Sequence, residues 1–522
     1  MNFEPVNLFY RTWLCLLASV TVIGASSAPA RVAVRFHCAG GAPLAANSNL
    51  TALHKLLALP STTNFENLAL TRIAGLLTNS LLLGANPQAG SMIEPLLRDV
   101  VAAESLGSFA DASSHAPDFI LALRLDANRA QLWHDNLAKA FAASGEPFAS
   151  EGFSGWRWNA GPSNSFRLIP ARDWLLAGRG DAFLPLQAEY LQKVRALGRP
   201  APPLEGHWLE ADIDSERLGG WLRLLKPARI NITIAAKEDN LRIALRADYA
   251  QPILWKPQPW RIPRDLIRGQ LVSFTAGQDV AAFFNLNPAL SRLGHNPLTN
   301  QFCFWALNQM PLLNYMAWPV ANASNALLQL AAQAPPAFNP DLKRFNGTEL
   351  VWLPRADRLL LQNIRLFAPA VAAVQDNDGQ FLFLSSFPRP PAGEPAPEAL
   401  LARIQGHTNL VYYDWEVTGP RLQEWQLLGK MIANRASGQN NQTEAAMPVE
   451  FSWLSGLARS TGITVTEITR VAPNELSLVR SAPLGFTAVE LTLLSDWLCD
   501  ANSGSIHPPS STGPPTPFPG KR

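Results

Sequence analysis

His207-Trp-Leu-Glu-Ala-Asp-Ile213 runs directly into Asp214-Ser-Glu-Arg217-Leu-Gly-Gly-Trp221, and this junction decides the fold. The first run has the composition of a strand, and Asp214 is a good helix N-cap. Arg217 and Trp221 are four apart and share one face of the helix that follows. The same D-x-x-R-x-x-x-W pattern recurs as Asp126, Arg129 and Trp133, directly after the apolar run Phe119–Leu125. It returns with Thr418, Arg421 and Trp425 after the strand 409–417. A fourth junction, Thr275-Ala-Gly-Gln278-Asp-Val-Ala-Ala-Phe283, keeps the layout without the Arg and Trp. Repeated strand-to-capped-helix units predict an α+β fold of tandem duplicated domains, each an antiparallel sheet covered by helices.

Outward from the junction, the hairpin 230–249 turns at Lys237-Glu-Asp-Asn240, and a second hairpin is expected at 464–480. Between them Gln251-Pro-Ile-Leu-Trp-Lys-Pro-Gln-Pro-Trp-Arg-Ile-Pro263 has a proline density that no helix or central strand tolerates. The expected organisation is therefore a first domain at 31–250, a linker at 251–267 and a second domain at 268–499. The element order pairs strand 119–125 with 270–275, helix 127–141 with 278–285, and helix 184–197 with 397–404. It further pairs strand 207–213 with 409–417, helix 215–225 with 420–434, and the two hairpins. On this pairing Asp214 matches Thr418, Arg217 matches Arg421, and Trp221 matches Trp425, with both Trp buried against the sheet. Thr487 and Glu490 have the spacing of a capping box for a last helix. The tail 500–522, rich in Ser, Thr, Pro and Gly, is expected to be disordered.

Phe36-His-Cys-Ala-Gly40, Leu57-Ala-Leu-Pro60 and Gly485-Phe-Thr-Ala-Val-Glu-Leu491 extend the pattern. With the repeats, the chain resembles large exported bacterial proteins of unknown function that alternate strand, capped helix and antiparallel hairpin. The resemblance implies that layout over most of 32–498 and brings no catalytic residues.

Composition agrees with a packed, exported protein. Of 522 residues 47% are hydrophobic, ample for a core, and the net charge of +2 exerts no pull on nucleic acid. Only nine of the 43 cationic residues are Lys, the bias of a GC-rich bacterial genome. Arg11 precedes the apolar stretch Trp13–Gly24, and Ala25-Ser-Ser-Ala28-Pro-Ala30 then offers an A-x-A-like site, so residues 1–30 read as a signal peptide. That core is shorter than the roughly 20 apolar residues a spanning helix needs, and no integral transmembrane segment is expected in the mature chain. Cys38, Cys303 and Cys499 would remain, enough for at most one disulfide.

Local catalytic motifs are absent: no G-x-x-x-x-G-K-[ST], G-x-S-x-G, H-E-x-x-H or C-x-x-C occurs. Two carboxylate pairs stand at i, i+2 on strands, Asp212 with Asp214 and Asp414 with Glu416. Such pairs can bind a cation or serve acid–base chemistry, but they also read as a strand-end acid followed by an N-cap. Asp376-Asn-Asp-Gly379 opens like a calcium loop, yet its twelfth position is Phe387, which points to a hairpin turn. Trp133, Trp221 and Trp425 have core spacing, whereas Trp156, Trp158, Trp255 and Trp260 are the candidates for an aromatic surface. Arg129, Arg217 and Arg421 could meet an acidic ligand or a nearby carboxylate. No catalytic residue, metal or cofactor is expected. The leading functional expectation is a non-enzymatic binding or scaffolding protein of the bacterial envelope, periplasmic or at the cell surface, with an envelope protein as partner. The alternatives are a carrier or sensor of an apolar ligand held between helices and sheet, and a hydrolase with a non-local site. Intact-mass measurement of envelope-derived protein should find the mature N-terminus near Arg31; a retained Met1 would defeat the cleavage reading.

Overall fold

The computed structural model describes residues 32–80, 86–110, 118–159, 165–217, 227–253, 258–278, 300–308, 313–364, 367–388, 391–437 and 449–499. The signal-peptide stretch 1–30, Trp221, Trp255, the helix expected at 278–285 and the tail 500–522 lie outside the described residues, apart from Gln278 itself, which ends a strand.

The fold is α+β. Ten strands come from the first half: β1 (Val32–Cys38), β2 (Ser105–Ala110), β3 (Phe119–Arg124), β4 (Glu146–Ser150), β5 (Phe153–Asn159), β6 (Ser165–Ala171), β7 (Trp174–Arg179), β8 (Leu209–Asp214), β9 (Pro227–Lys237) and β10 (Asn240–Tyr249). Ten come from the second: β11 (Leu271–Gln278), β12 (Gln301–Leu307), β13 (Asn314–Val320), β14 (Glu349–Leu353), β15 (Arg358–Gln362), β16 (Ala370–Asp376), β17 (Gly379–Ser385), β18 (Leu410–Val417), β19 (Ile463–Ala472) and β20 (Glu475–Ala482). The helices are α1 (Gly41–Ala46), α2 (Thr51–Leu57), α3 (Pro60–Ser80), α4 (Ala89–Ala102), α5 (Ala127–Ala140), α6 (Leu184–Leu197), α7 (Ala323–Asn346), α8 (Glu398–Gln405), α9 (Thr418–Ser437), α10 (Val449–Ala458) and α11 (Ala488–Cys499).

All pairings are antiparallel. From one edge to the other the strands run β4-β5-β6-β7-β3-β2-β1-β8-β9-β10-β20-β19-β18-β11-β12-β13-β17-β16-β15-β14. Read outward from the centre, the second half retraces the first strand for strand, so the chain is a tandem duplication within one sheet, 20-stranded among the described residues. Even an irregularity is repeated: the β1–β2 register shifts between Val32 and Val34, and the β11–β12 register between Leu271 and Ser273. Bulges of this kind are designed features of a fold rather than accidents.

The duplication corrects two of the expected matches. Strand 119–124 corresponds to 314–320, not to 270–275, whose true counterpart is β1, and the helix that follows moves with it, so α5 corresponds to α7 rather than to 278–285. The second correction is a single residue. Ile213 faces Val34 and Ile230, while Glu416 faces Ser273 and Thr464, so Ile213 and Glu416 are equivalent and Thr418 corresponds to Ser215 rather than Asp214.

Helices cover both faces. On one face, α5 packs with α4 over Leu123, Leu168 and Leu175 in the first half, and α7 packs over Val320, Leu359 and Leu382 in the second. On the other face α6 covers Ile120, Ile169 and Leu176, and α8 covers Tyr315, Phe381 and Phe383. Residues 258–267 place Trp260, Ile262 and Ile267 in this last core. The repeated Arg/Trp spacing has a local cause in α5. Asp126 accepts the Arg129 N–H at 2.8 Å, and Arg129 and Trp133 both donate to Asp99 of α4, Trp133 Nε1 at 2.8 Å. In α9 the Arg421 guanidinium instead lies 5.4 Å from the ring centre of Trp425, which is only half-buried.

Both sheet edges are blunted, as a long sheet requires if it is not to template further pairing. β4 carries Pro147, which has no N–H to donate. On β14 the Asn339 side-chain amide of α7 brackets Leu350, donating to its C=O at 3.0 Å and accepting its N–H at 2.7 Å. Asn339→Ala should uncover this edge and shift the protein toward concentration-dependent association in analytical ultracentrifugation; an unchanged sedimentation profile would show that the bracket is dispensable.

Candidate functional site

In the first half the centre of the sheet is apolar on the face that carries α5. Val34, Ala211, Ile213, Ile230, Ile232 and Ile234 form one buried cluster with Ile243. The equivalent positions of the second half are Ser273, Asp414, Glu416, Thr464, Thr466 and Ile468, with Arg480 in the place of Leu245. Apart from Ile234 and Ile468, which agree, the same backbone positions thus hold aliphatic residues in one copy and ionisable or hydroxyl groups in the other.

The charged version is buried. Asp414, Glu416, Arg480 and Glu490 are each at most 9% exposed. α9 and α11 lie over them, joined to α10 and α3 through Leu422, Trp453, Leu457 and Leu491. Arg480 makes a bidentate pair with Glu490, Nη1 to Oε2 at 2.6 Å and Nη2 to Oε1 at 3.0 Å. Its Nε donates to Thr466 Oγ1 at 2.9 Å and its Nη1 also reaches the Gly485 carbonyl at 3.2 Å. Glu490 closes the expected capping box, accepting the Thr487 N–H at 2.8 Å. Glu416 Oε1 accepts the Ala488 N–H at 2.7 Å and the Thr418 hydroxyl at 3.0 Å, so a carboxylate sits at the N-terminus of α11 where the helix dipole favours it. Asp414 accepts the Thr275 hydroxyl at 2.6 Å. Arg421 of α9 pairs with Glu424 and reaches Asn314 Oδ1 at 3.4 Å.

The electrostatics follow from burial. Desolvation, and then repulsion from Asp414, push the Glu416 carboxyl up to about 7. Burial likewise raises Asp414 and Glu424. For Arg480, burial pulls the guanidinium down, but Glu490, Asp414 and Tyr412 together outweigh it and the net shift is upward.

Asp212 and Asp214 have no such setting. Asp212 lies on the opposite face of the sheet from Asp414 and Glu416 and is held by Arg229 on the surface; Asp214 is held by Arg217. With Arg35, these four side chains line an open concavity of about 470 Å³. The two pairs of sequence candidates therefore separate, one half-buried at the surface and one in the core. Asp376–Gly379 is a two-residue hairpin turn, with Asp376 accepting the N–H groups of Asp378 and Asp265. Among the described residues no group of His, Cys, Asp and Glu is arranged to hold a metal ion. Trp158 and Trp260 are buried, against their expected place on an aromatic surface, because Trp158 stacks on Phe141 and Trp260 fills the core beneath β11. Trp156 is half-buried, with the His134 ring 4.1 Å away. Cys38 and Cys303 are buried free thiols. Among the described residues no helix is long and apolar enough to cross a membrane. Sequence reading missed Arg480, Thr464 and Thr466, whose alternation within strands looks like a solvated face.

No family model and no curated protein matches the chain. A solved structure described as "Structure of crystal form IV of TP0453" is similar over 42% of this chain and 77% of that one, at 10% identity and a TM-score of 0.21.

Removing one partner of a buried ion pair strands the other charge in the interior. Glu490→Ala should therefore cost about 3–5 kcal/mol in urea unfolding. Asp212→Ala, which breaks an exposed pair, should cost no more than about 1 kcal/mol. Equal costs would contradict the difference in burial.

Proposed function

We propose that the chain is an exported, non-enzymatic protein of the bacterial cell envelope that acts by binding or scaffolding. The observation that carries this reading is the use made of the buried ionisable groups. Asp414, Glu416, Glu490 and Arg480 are taken up in fastening α9 and α11 to the sheet, a structural task. A catalytic acid or base would instead need reach to a substrate. The long sheet supports the scaffold reading as well, since twenty strands at about 4.8 Å spacing offer a span of roughly 90 Å. Export rests on Arg11, the apolar run after it and Ala28-Pro-Ala30.

The test is mass spectrometry of what co-purifies with the protein from its native envelope. A protein partner at fixed stoichiometry is the expected result. A stoichiometric lipid would replace this reading with the apolar-ligand carrier. Hydrolysis of ester or peptide substrates that is lost in Glu416→Gln would replace it with an enzyme.

A further inference from the structure

Glu490 and Arg480 neutralise one another, and Glu424 and Arg421 form a second pair. Asp414 and Glu416, two carboxyls on one face of β18, accept hydrogen bonds from Thr275, Thr418 and the Ala488 N–H, and the nearby Arg480 and Arg421 only partly offset the cost of burying them. The groups around them come from every packed element: Arg480 from β20, Glu490 from α11, Arg421 and Glu424 from α9, and Tyr412 from β18 itself. β11, β13 and β19 turn only the neutral Ser273, Thr275, Asn314, Thr464 and Thr466 toward the cluster among the described residues. The fold does not require charge here, since its first copy fills the same positions with Ala211 and Ile213. Buried charge of this kind is commonly neutral or costly beside apolar packing.

We propose that Asp414 and Glu416 form a proton-operated latch, which holds α11 and α9 on the sheet while the pair carries at most one charge and loosens them when both carboxyls ionise. The geometry ties the pair to both helices, because Glu416 Oε1 accepts the first N–H of α11 and the Thr418 hydroxyl at the start of α9. These bonds favour the charged form, so the loosening comes from the buried second charge and its repulsion, which outweigh them. Two like charges on adjacent same-face positions in the interior repel strongly. The sign follows from the raised Glu416 value. A carboxyl lifted on folding from 4.5 to about 7 binds its proton more tightly in the folded state. Its stabilisation is complete below 4.5 and is lost as pH climbs through about 7.

The experiment uses the full chain, following amide hydrogen exchange of α11 and α5 from pH 5 to 8.5, corrected for intrinsic exchange rates. Opening of α11 should increase up to about tenfold per pH unit in the rising window, the limit for one proton released, while α5 stays unchanged. Glu416→Gln, which keeps an acceptor oxygen without the charge, should remove the rise, whereas Asp414→Asn should weaken it and move it to lower pH, because it ends the repulsion but leaves the Glu416 carboxyl buried. A rise that persists in Glu416→Gln, or that is unmoved in Asp414→Asn, would overturn the latch. If neither variant folds, the wild-type comparison decides: opening confined to the α9–α11 layer supports it, and equal or pH-independent opening of α5 and α11 defeats it.

Discussion

The structure depends on the pairing of β10 with β20. Eight residue pairs, from Leu241 with Ala482 to Asp248 with Glu475, join the last hairpin of each half into one antiparallel ladder. An antiparallel pair relates its two strands by a rotation perpendicular to the sheet, so the same face of each half points the same way. That is why α5 and α7 lie on one face and α6 and α8 on the other. It also satisfies the backbone groups of two strands that would otherwise be edges. The remaining edges, β4 and β14, are the ones protected by Pro147 and by Asn339.

Given that frame, the two halves diverge in what they bury at equivalent positions. The first half takes the apolar solution, in which Ile213, Ile230 and Ile232 pack without polar atoms to satisfy. The second takes the polar solution, which demands a partner for every donor and acceptor. Threonines meet most of the demand: Thr275, Thr418 and Thr466 bond to Asp414, Glu416 and Arg480, and Thr464 to Thr418, while the buried Ser273 hydroxyl finds no partner among the described residues. Helix α11 completes it with Glu490 and the N–H of Ala488. The charged cluster and the C-terminal helix layer therefore require one another.

Local features were legible in the sequence because short-range physics sets them. Asp126 caps α5, Thr487 and Glu490 form their box, and Asp376–Gly379 turns a hairpin, all from residues within four positions. The buried site was half legible: Asp414 and Glu416 stood out by spacing, but so did Asp212 and Asp214, which belong on the surface. Arg480 and Thr466 did not stand out, since a polar residue at every second position of a strand is the ordinary sign of a solvated face.

By itself, the sequence determined the α+β class, the alternation of strand and capped helix, and the duplication, because periodicity and capping act over one or two turns. Only the tertiary structure decided which strands correspond. β1 pairs with β8 across 170 residues of chain, a distance over which no local pattern speaks. Nor could spacing tell which way each acid points. The Arg/Trp pattern aligns Asp212 with Glu416, but the ladder aligns Ile213 with Glu416. Since side chains alternate with a period of two, that single residue of register puts one carboxylate in water and the other in the core.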